Sequence, residues 1–254
     1  EVSSEVKALA TEALNHDFGT DQKSAHNTQT IISKFLKDNN IADTQKSTLG
    51  DWQASGAKNS QGMEDKYMYS RIKINASLAK LRGEDMASLR KSEGQHWQGR
   101  GASQFHEAWD EGSNDAMALI PYIAASQQQV KSLTNSTGTI NRIYRGLQGD
   151  IAPILKGARK AALKAGPGVV KEIWLGGGLQ GWSMNKSTSK SIGAGSDGVL
   201  MSKENIAPED ILLYFNAFSN SHTGEAELAL DPNSHAWFSP NEVDHAGTDG
   251  WGGN

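Results

Sequence analysis

Apolar positions fall into two regimes along this chain of 254 residues. Up to about residue 130 they recur at helical spacing; beyond it they come in short alternating or continuous runs. Val6, Leu9, Ala10, Ala13 and Leu14 make one helical face over 5–16, with Ser3 and Ser4 placed to cap it. Ile31, Ile32, Phe35 and Leu36 predict a second helix, opened by Ser24 and stopping near Asn39 and Asn40. Residues 43–61 are rich in Ser, Gly and Thr and read as a loop. Helical periodicity returns over 63–81, through Tyr67, Ile72, Ile74, Leu78 and Leu81, and again over 83–97 and 103–130, where Pro121 predicts a kink.

A polar stretch ending in glycine, residues 132–138, marks the change of regime. Past it, 140–147 alternates as a strand and 151–165 reads as a short basic amphipathic helix. Residues 169–175, 210–217, 226–230 and 236–239 read as strands. The pattern predicts an α+β chain, with a helical bundle over 1–131 and a second, strand-rich domain over 132–254.

Composition narrows the partners. The hydrophobic fraction is 37% and mean hydropathy is -0.56, polar for a folded protein but outside the range of a disordered one. No apolar run approaches the roughly 18 residues that a membrane helix needs, so no membrane span is expected. A start at Glu1 is what a trimmed product would show. There are no cysteines, which removes disulfides, thiolate metal sites and a Cys nucleophile, and suits a protein that is injected or crosses a membrane. Net charge is -4, giving nucleic acid no electrostatic reason to bind. The last arginine is Arg159 and the last lysine Lys203, and nine acids follow from Glu204 onward. Such an acidic region favours a cationic partner, for instance an arginine-bearing protein, although a solubilising tail would carry the same charge.

Among candidate motifs, Gly176-Gly-Gly-Leu-Gln-Gly181 matches a dinucleotide fingerprint by letter, but the hydroxyl-rich continuation does not open the helix that a phosphate would meet. These glycines read as a turn. His16, His26, His96 and His106 lack ligand spacing, and His235 and His245 lie near acids without a pattern that fixes a metal. Glu225 and Glu227, one residue apart at the mouth of an apolar strand, would share one face of it. Paired like charges occur at functional sites and also as edge devices against strand pairing. Upstream, Tyr144-Arg145-Gly146 sets a rigid guanidinium fork on a strand beside a residue that allows close approach, and Ser187-Thr188-Ser189 clusters three hydroxyls after a Gly-rich turn. The three motifs are 42 and 40 residues apart.

In this order the set resembles the arginine-serine-glutamate class of mono-ADP-ribosyltransferases, the family of cholera-like, C3-like and binary-toxin enzymes, over residues 138–240. The resemblance implies a mixed α/β core of two packed β-sheets that grips NAD. It implies that Arg145, with Gly146, holds the NAD phosphates or nicotinamide-side ribose, and that Ser187 braces the cleft with support from Thr188 and Ser189. Glu227 would be the catalytic glutamate and Glu225 the upstream acid of members that modify arginine. Residues 218–224 would be the substrate-recognition loop, with Phe218 its aromatic, and Trp182 a possible cofactor contact, core packing being its other reading. The family further implies a secreted or injected toxin or effector acting in a host cytoplasm on an arginine-bearing protein target, with no metal. The sequence departs from the family where 189–199 is glycine-rich instead of helical, and where the loop is polar.

Elementary chemistry agrees with those roles. Cleavage of the nicotinamide–ribose bond passes through an oxocarbenium-like state, which a fixed carboxylate stabilises. A second carboxylate would hold an incoming guanidinium and take its proton. NAD hydrolysis, transfer to a non-protein acceptor, and a non-enzymatic interaction or virion protein are the alternatives.

Overall fold

The computed structural model describes residues 1–19, 24–53, 61–147, 151–165, 171–173, 179–192, 198–230, 236–238 and 243–245. The chain divides into two units, Glu1–Gln128 with Ala217–Ser221, and Gln129–Asn216 with His222–Asn254.

The first unit is helical: α1 Ser4–Leu14, α2 Ala25–Asp38, α3 Gln45–Gln53, α4 Gln61–Leu81, α5 Met86–Gly94, α6 Arg100–Asn114 and α7 Ala116–Lys131, whose last turn crosses the boundary. Ser3 and Ser24 cap α1 and α2 as expected, accepting from Val6 N at 3.3 Å and Asn27 N at 3.4 Å. Each cap satisfies one of the amides that a helix start leaves unpaired. Ile72, Ala76, Ala79, Phe105, Ala108 and Trp109 form one apolar cluster, and α4 and α6 approach closely around Gly112.

Two elements differ from the sequence reading. Residues 45–53, expected as loop, form α3, whose inward face is Gln45, Thr48, Leu49, Trp52 and Gln53. That spacing is helical, but three of the five side chains are polar, so no apolar stripe announces it. Their polarity is answered inside: Gln45 Nε2 donates to Ser77 Oγ at 2.9 Å, which in turn donates to the Gly112 carbonyl at 2.6 Å. The stretch 103–130 is two helices parted at Asp115, and Pro121 lies within α7.

The second unit carries β1 Ile140–Leu147, α8 Ile151–Ala165, β2 Lys171–Ile173, β3 Gln180–Ser183, α9 Lys186–Ile192, β4 Val199–Ile206, β5 Ile211–Tyr214, β6 Glu227–Leu230, β7 Ala236–Phe238 and β8 Val243–His245. Six strands pair antiparallel in the order β5-β6-β3-β1-β4-β8, and β2 pairs with β7 in a separate ladder. The α+β class and the N-terminal helices are therefore as expected. Of the expected pair of packed sheets, the described residues supply one sheet and a two-stranded ladder. The strands β3, β4 and β8 and the helix α9 are not among the elements that the sequence pattern predicts. Residues 176–178, 193–197 and 239, the ends of the strand expected over 169–175, and His235 lie outside the described residues.

β1 is the central strand that positions the site. It pairs with β4 from Ile140↔Ile206 to Leu147↔Val199, and the side chains of Arg142 and Glu204, opposite one another, form an ion pair. With β3 it makes one bridge, Tyr144↔Ser183. Among the described residues, β1 from Arg145 onward pairs with β4 alone.

Candidate active site

Tyr144, Ser183 and Glu227 stand in one row across β1, β3 and β6, through the pairs Tyr144↔Ser183 and Ser183↔Glu227. Adjacent strands lie about 4.8 Å apart, and residues directly opposite in an antiparallel pair share a face. The row thus gathers segments separated by about forty residues of sequence. Trp182, one step back on β3, pairs with Leu228 on the other face.

The acid pair sits differently from the expected strand. Glu225 ends a 3-10 turn, Thr223–Glu225, and Glu227 opens β6. Between them Ala226 is left-handed, with φ +44°, and His222 before the turn is left-handed too, with φ +54°. The left-handed region costs a non-glycine residue of order 1–2 kcal/mol, and such residues persist where their surroundings over-determine them. The break at Ala226 also ends the strict alternation that would have put both carboxylates on one strand face, a correction to the sequence reading.

The surroundings do over-determine the turn. Asn216 Nδ2 donates to the Thr223 carbonyl at 2.9 Å, and Asn185 Nδ2 to the Gly224 carbonyl at 2.7 Å. Ser183 Oγ donates to the Glu225 carbonyl, and Met184 N to the Ala226 carbonyl at 3.2 Å. Four consecutive carbonyls are therefore held. The Glu225 amide closes back on the His222 carbonyl at 2.9 Å, and the Glu225 carboxylate, 41% exposed, lies 3.4 Å from His222 Nδ1. Glu227 is half-buried at the start of β6. Next to this turn, burial above all pushes the Tyr214 phenol above its ordinary value, against the lowering effect of its hydrogen bond with Asn216.

The hydroxyl motif spreads over three different jobs. Ser187 donates to Asn185 Oδ1 at 2.7 Å and its amide meets the same oxygen at 3.0 Å, which caps α9. Ser189, 2% exposed, donates to the Tyr144 carbonyl at 3.0 Å and ties α9 to β1. Thr188 is half-buried on α9 and accepts from Ser191 at its carbonyl, 2.8 Å. The serine that stands between the strands of Arg145 and Glu227 is Ser183, not Ser187. Sequence reasoning missed Ser183 and Asn185. The signal available was the alternation Gln180-Gly-Trp-Ser, with its buried, half-buried, buried pattern, which a hydroxyl-rich continuation obscures.

Arg145 follows the row directly on β1, opposite Met201, and its Nη1 is shielded from solvent. Alternation along β1 directs it to the other face from Tyr144, Ser183 and Glu227. It shares that face with Trp182 at the point where β1 and β3 part. Gly146 is buried opposite Leu200. Trp182 is 3% exposed and packs in the core on the strand beside Leu228, which favours the core reading over a cofactor contact. Phe218, expected as the aromatic of an acceptor loop, is 5% exposed and stands edge-on to Tyr122 in the helical unit, with ring centroids 5.0 Å apart. At this position the structure offers an acceptor no exposed ring. Among the described residues, no group of three or more His, Asp or Glu side chains is placed to hold a metal, and no helix is long and apolar enough to cross a membrane.

Comparison with protein-family models, with curated proteins and with solved structures gave no match to this chain. What the arrangement can do therefore rests on its own chemistry. A half-exposed carboxylate ends a turn whose backbone is held at its carbonyls, and a half-buried one opens the strand that follows. A rigid turn of that kind aims negative charge at a fixed point, the arrangement that stabilises a developing cation.

Proposed function

We propose that this chain is an NAD-dependent mono-ADP-ribosyltransferase that moves ADP-ribose to an arginine side chain of a protein target and releases nicotinamide. The observation that supports this reading is the adjacency of three backbone segments, with Glu227 beside Ser183 on one face and Arg145 on the other face of β1. The strand of Arg145, the strand ending at Ser183 and the turn bearing Glu225 and Glu227 come together, with the turn tied to β3 by Ser183, Met184 and Asn185.

On this reading Glu227 stabilises the oxocarbenium-like ribose as the bond from its anomeric carbon to nicotinamide breaks, and nicotinamide leaves with the electron pair. A guanidino nitrogen of the target then bonds to that carbon, and its proton passes to Glu225. Arg145 keeps the phosphate-holding role that the resemblance implies, its bidentate fork suiting two phosphate oxygens, which requires the cofactor to pass from the face of Glu227 to the other face of β1. Ser183 braces the acid-bearing turn, the role that the family resemblance implies for Ser187. The ladder of β2 and β7 would belong to a second sheet packed on the first, and the helical unit would serve target binding or delivery of a secreted or injected effector.

One observation favours a second reading, NAD hydrolysis. With Phe218 buried, the segment before the acids offers an acceptor only polar groups, and water needs no recognition loop. Incubation with labelled NAD separates the two. Label on an arginine-rich protein, and none on a protein without arginine, supports transfer. Free ADP-ribose with label on neither supports hydrolysis, and intact NAD after prolonged incubation refutes both.

A further inference from the structure

The segment Ala217–Ser221 leaves the sheet unit and belongs to the helical one, although it lies between β5 and the turn of Glu225. Its hold there is specific. The Gln53 carboxamide, on a residue 6% exposed, meets it twice: Ser219 Oγ donates to Gln53 Oε1 at 2.8 Å, and Gln53 Nε2 reaches the Ser221 carbonyl at 3.4 Å. Ser219 Oγ also accepts from the Ser221 amide at 3.2 Å, which fixes the shape of the segment. Phe218 rests edge-on against Tyr122.

Tyr122 is itself locked. Its hydroxyl donates to Asp43 Oδ1 at 2.9 Å and accepts from Gln29 Nε2 at 2.9 Å. The ring is fully buried, so a partner lost here leaves an unsatisfied polar group. Immediately after the held segment comes left-handed His222, and then the turn that ends at Glu225.

We infer that the helical unit is a positioning device for the acid-bearing turn: Gln53 and Tyr122 fix Ala217–Ser221, and through it the carboxylate of Glu225. This rests on the reading of Glu225 as the acceptor-side acid. A turn with two left-handed residues relaxes unless both of its ends are held. Asn216, Ser183, Met184 and Asn185 hold the turn itself, and the Gln53 clamp holds the chain that enters it. The helical half is then part of the chemistry, setting the acid that receives the guanidinium without touching the ribose.

The test uses the full chain and two variants, Gln53→Met and Ser219→Ala. Gln53→Met keeps side-chain volume and removes both bonds, while Ser219→Ala spares the helix core if the first variant fails to fold. Hydrogen exchange at the Glu225 and Ala226 amides, bonded to His222 O at 2.9 Å and Thr223 O at 3.2 Å, reads the turn directly. Exchange there should quicken about tenfold, the scale of one or two lost hydrogen bonds, while the amides of β1 stay as they were. The KM for an arginine acceptor should rise about tenfold by the same loss, with NAD hydrolysis within about twofold of the parent. Unchanged exchange at 225 and 226 overturns the inference. So does quickened exchange with an unmoved acceptor KM in an active enzyme, and so does an equal fall in hydrolysis and transfer. If the parent chain cleaves no NAD, the functional reading fails, and the exchange measurement still decides whether the helical unit holds the turn.

Discussion

Ser183 stands directly opposite Glu227 on the neighbouring strand, and its hydroxyl donates to the carbonyl of Glu225. One buried side chain thus touches the backbone of the acid turn, and its residue pairs with the one that opens β6. Ser183→Ala removes that donor and leaves a carbonyl without its partner, a loss of about 1 kcal/mol. The expected outcome is a turn that holds its acids loosely, with NAD turnover reduced about fivefold by that loss. Ser187→Ala should leave turnover near the parent value, because its exposed hydroxyl only donates to the capping Asn185 Oδ1, which still accepts from the residue 187 amide. Steady-state NAD cleavage by the two variants checks this, and a larger loss from Ser187→Ala would return the motif to Ser187.

The two acids should separate in function because they separate in geometry. Glu227 opens β6 half-buried, while Glu225 ends the turn 41% exposed beside His222. Glu227→Gln keeps shape and removes charge, and NAD cleavage should fall by at least ~10²–10³, the worth of one aimed electrostatic group. Glu225→Gln should spare NAD hydrolysis while abolishing transfer to arginine. Both reactions are followed with labelled NAD; equal turnover in Glu227→Gln and parent would sink the assignment of the ribose-side acid.

The order of elements in the first half was legible because α1, α2 and α4 carry apolar residues at helical spacing, with serine caps at the starts of α1 and α2. Helix α3 was not, because Gln45, Thr48 and Gln53 occupy its buried face and find their partners only once the fold is formed. In the second half β1 and β6 were visible by alternation, but β3 and α9 were hidden in one hydroxyl-rich run. There the residue that matters is set by strand register, which composition does not encode. Phe218 illustrates the same limit. An aromatic in a polar loop looks exposed, and only the presence of Tyr122 reveals that it is core.

Packing in the helical unit supplies a sharper contrast between two glycines. A Cβ built on Gly112 would lie 2.1 Å from the Lys73 carbonyl oxygen and 2.6 Å from its Cα, both backbone. Backbone cannot yield as a side-chain end does, so Gly112→Ala must drive α6 off α4 and should cost more than the ~1–3 kcal/mol of ordinary overpacking. Gly50, on α3, has nothing within 4 Å of such a Cβ. Gly50→Ala should stabilise by about 0.5–1 kcal/mol, the helical penalty of glycine. Thermal melts of the two variants should shift in opposite directions; a shift of the same sign would contradict the close approach at Gly112.

The pair Arg90 and Asp110 gives a pH dependence whose sign follows from geometry. Arg90 Nε and Nη2 meet the two carboxylate oxygens at 2.9 Å each. Those hydrogen bonds above all, with the guanidinium charge adding to them, hold the Asp110 carboxyl below its ordinary value against the opposing effect of burial. A depressed carboxylate contributes stability that is present above its unfolded pKa, near 3.9, and is lost as pH falls through the lower folded value. The side chains are 39% and 55% exposed, so solvent screening limits the pair to about 0.5 kcal/mol. Arg90→Gln should therefore be less stable than the parent by about that amount at neutral pH, and the gap should close once Asp110 is protonated at about pH 2. Urea unfolding of the helical unit at the two pH values measures it. A gap of equal size at both would mean that Arg90 stabilises through the packing of its stem and not through the carboxylate.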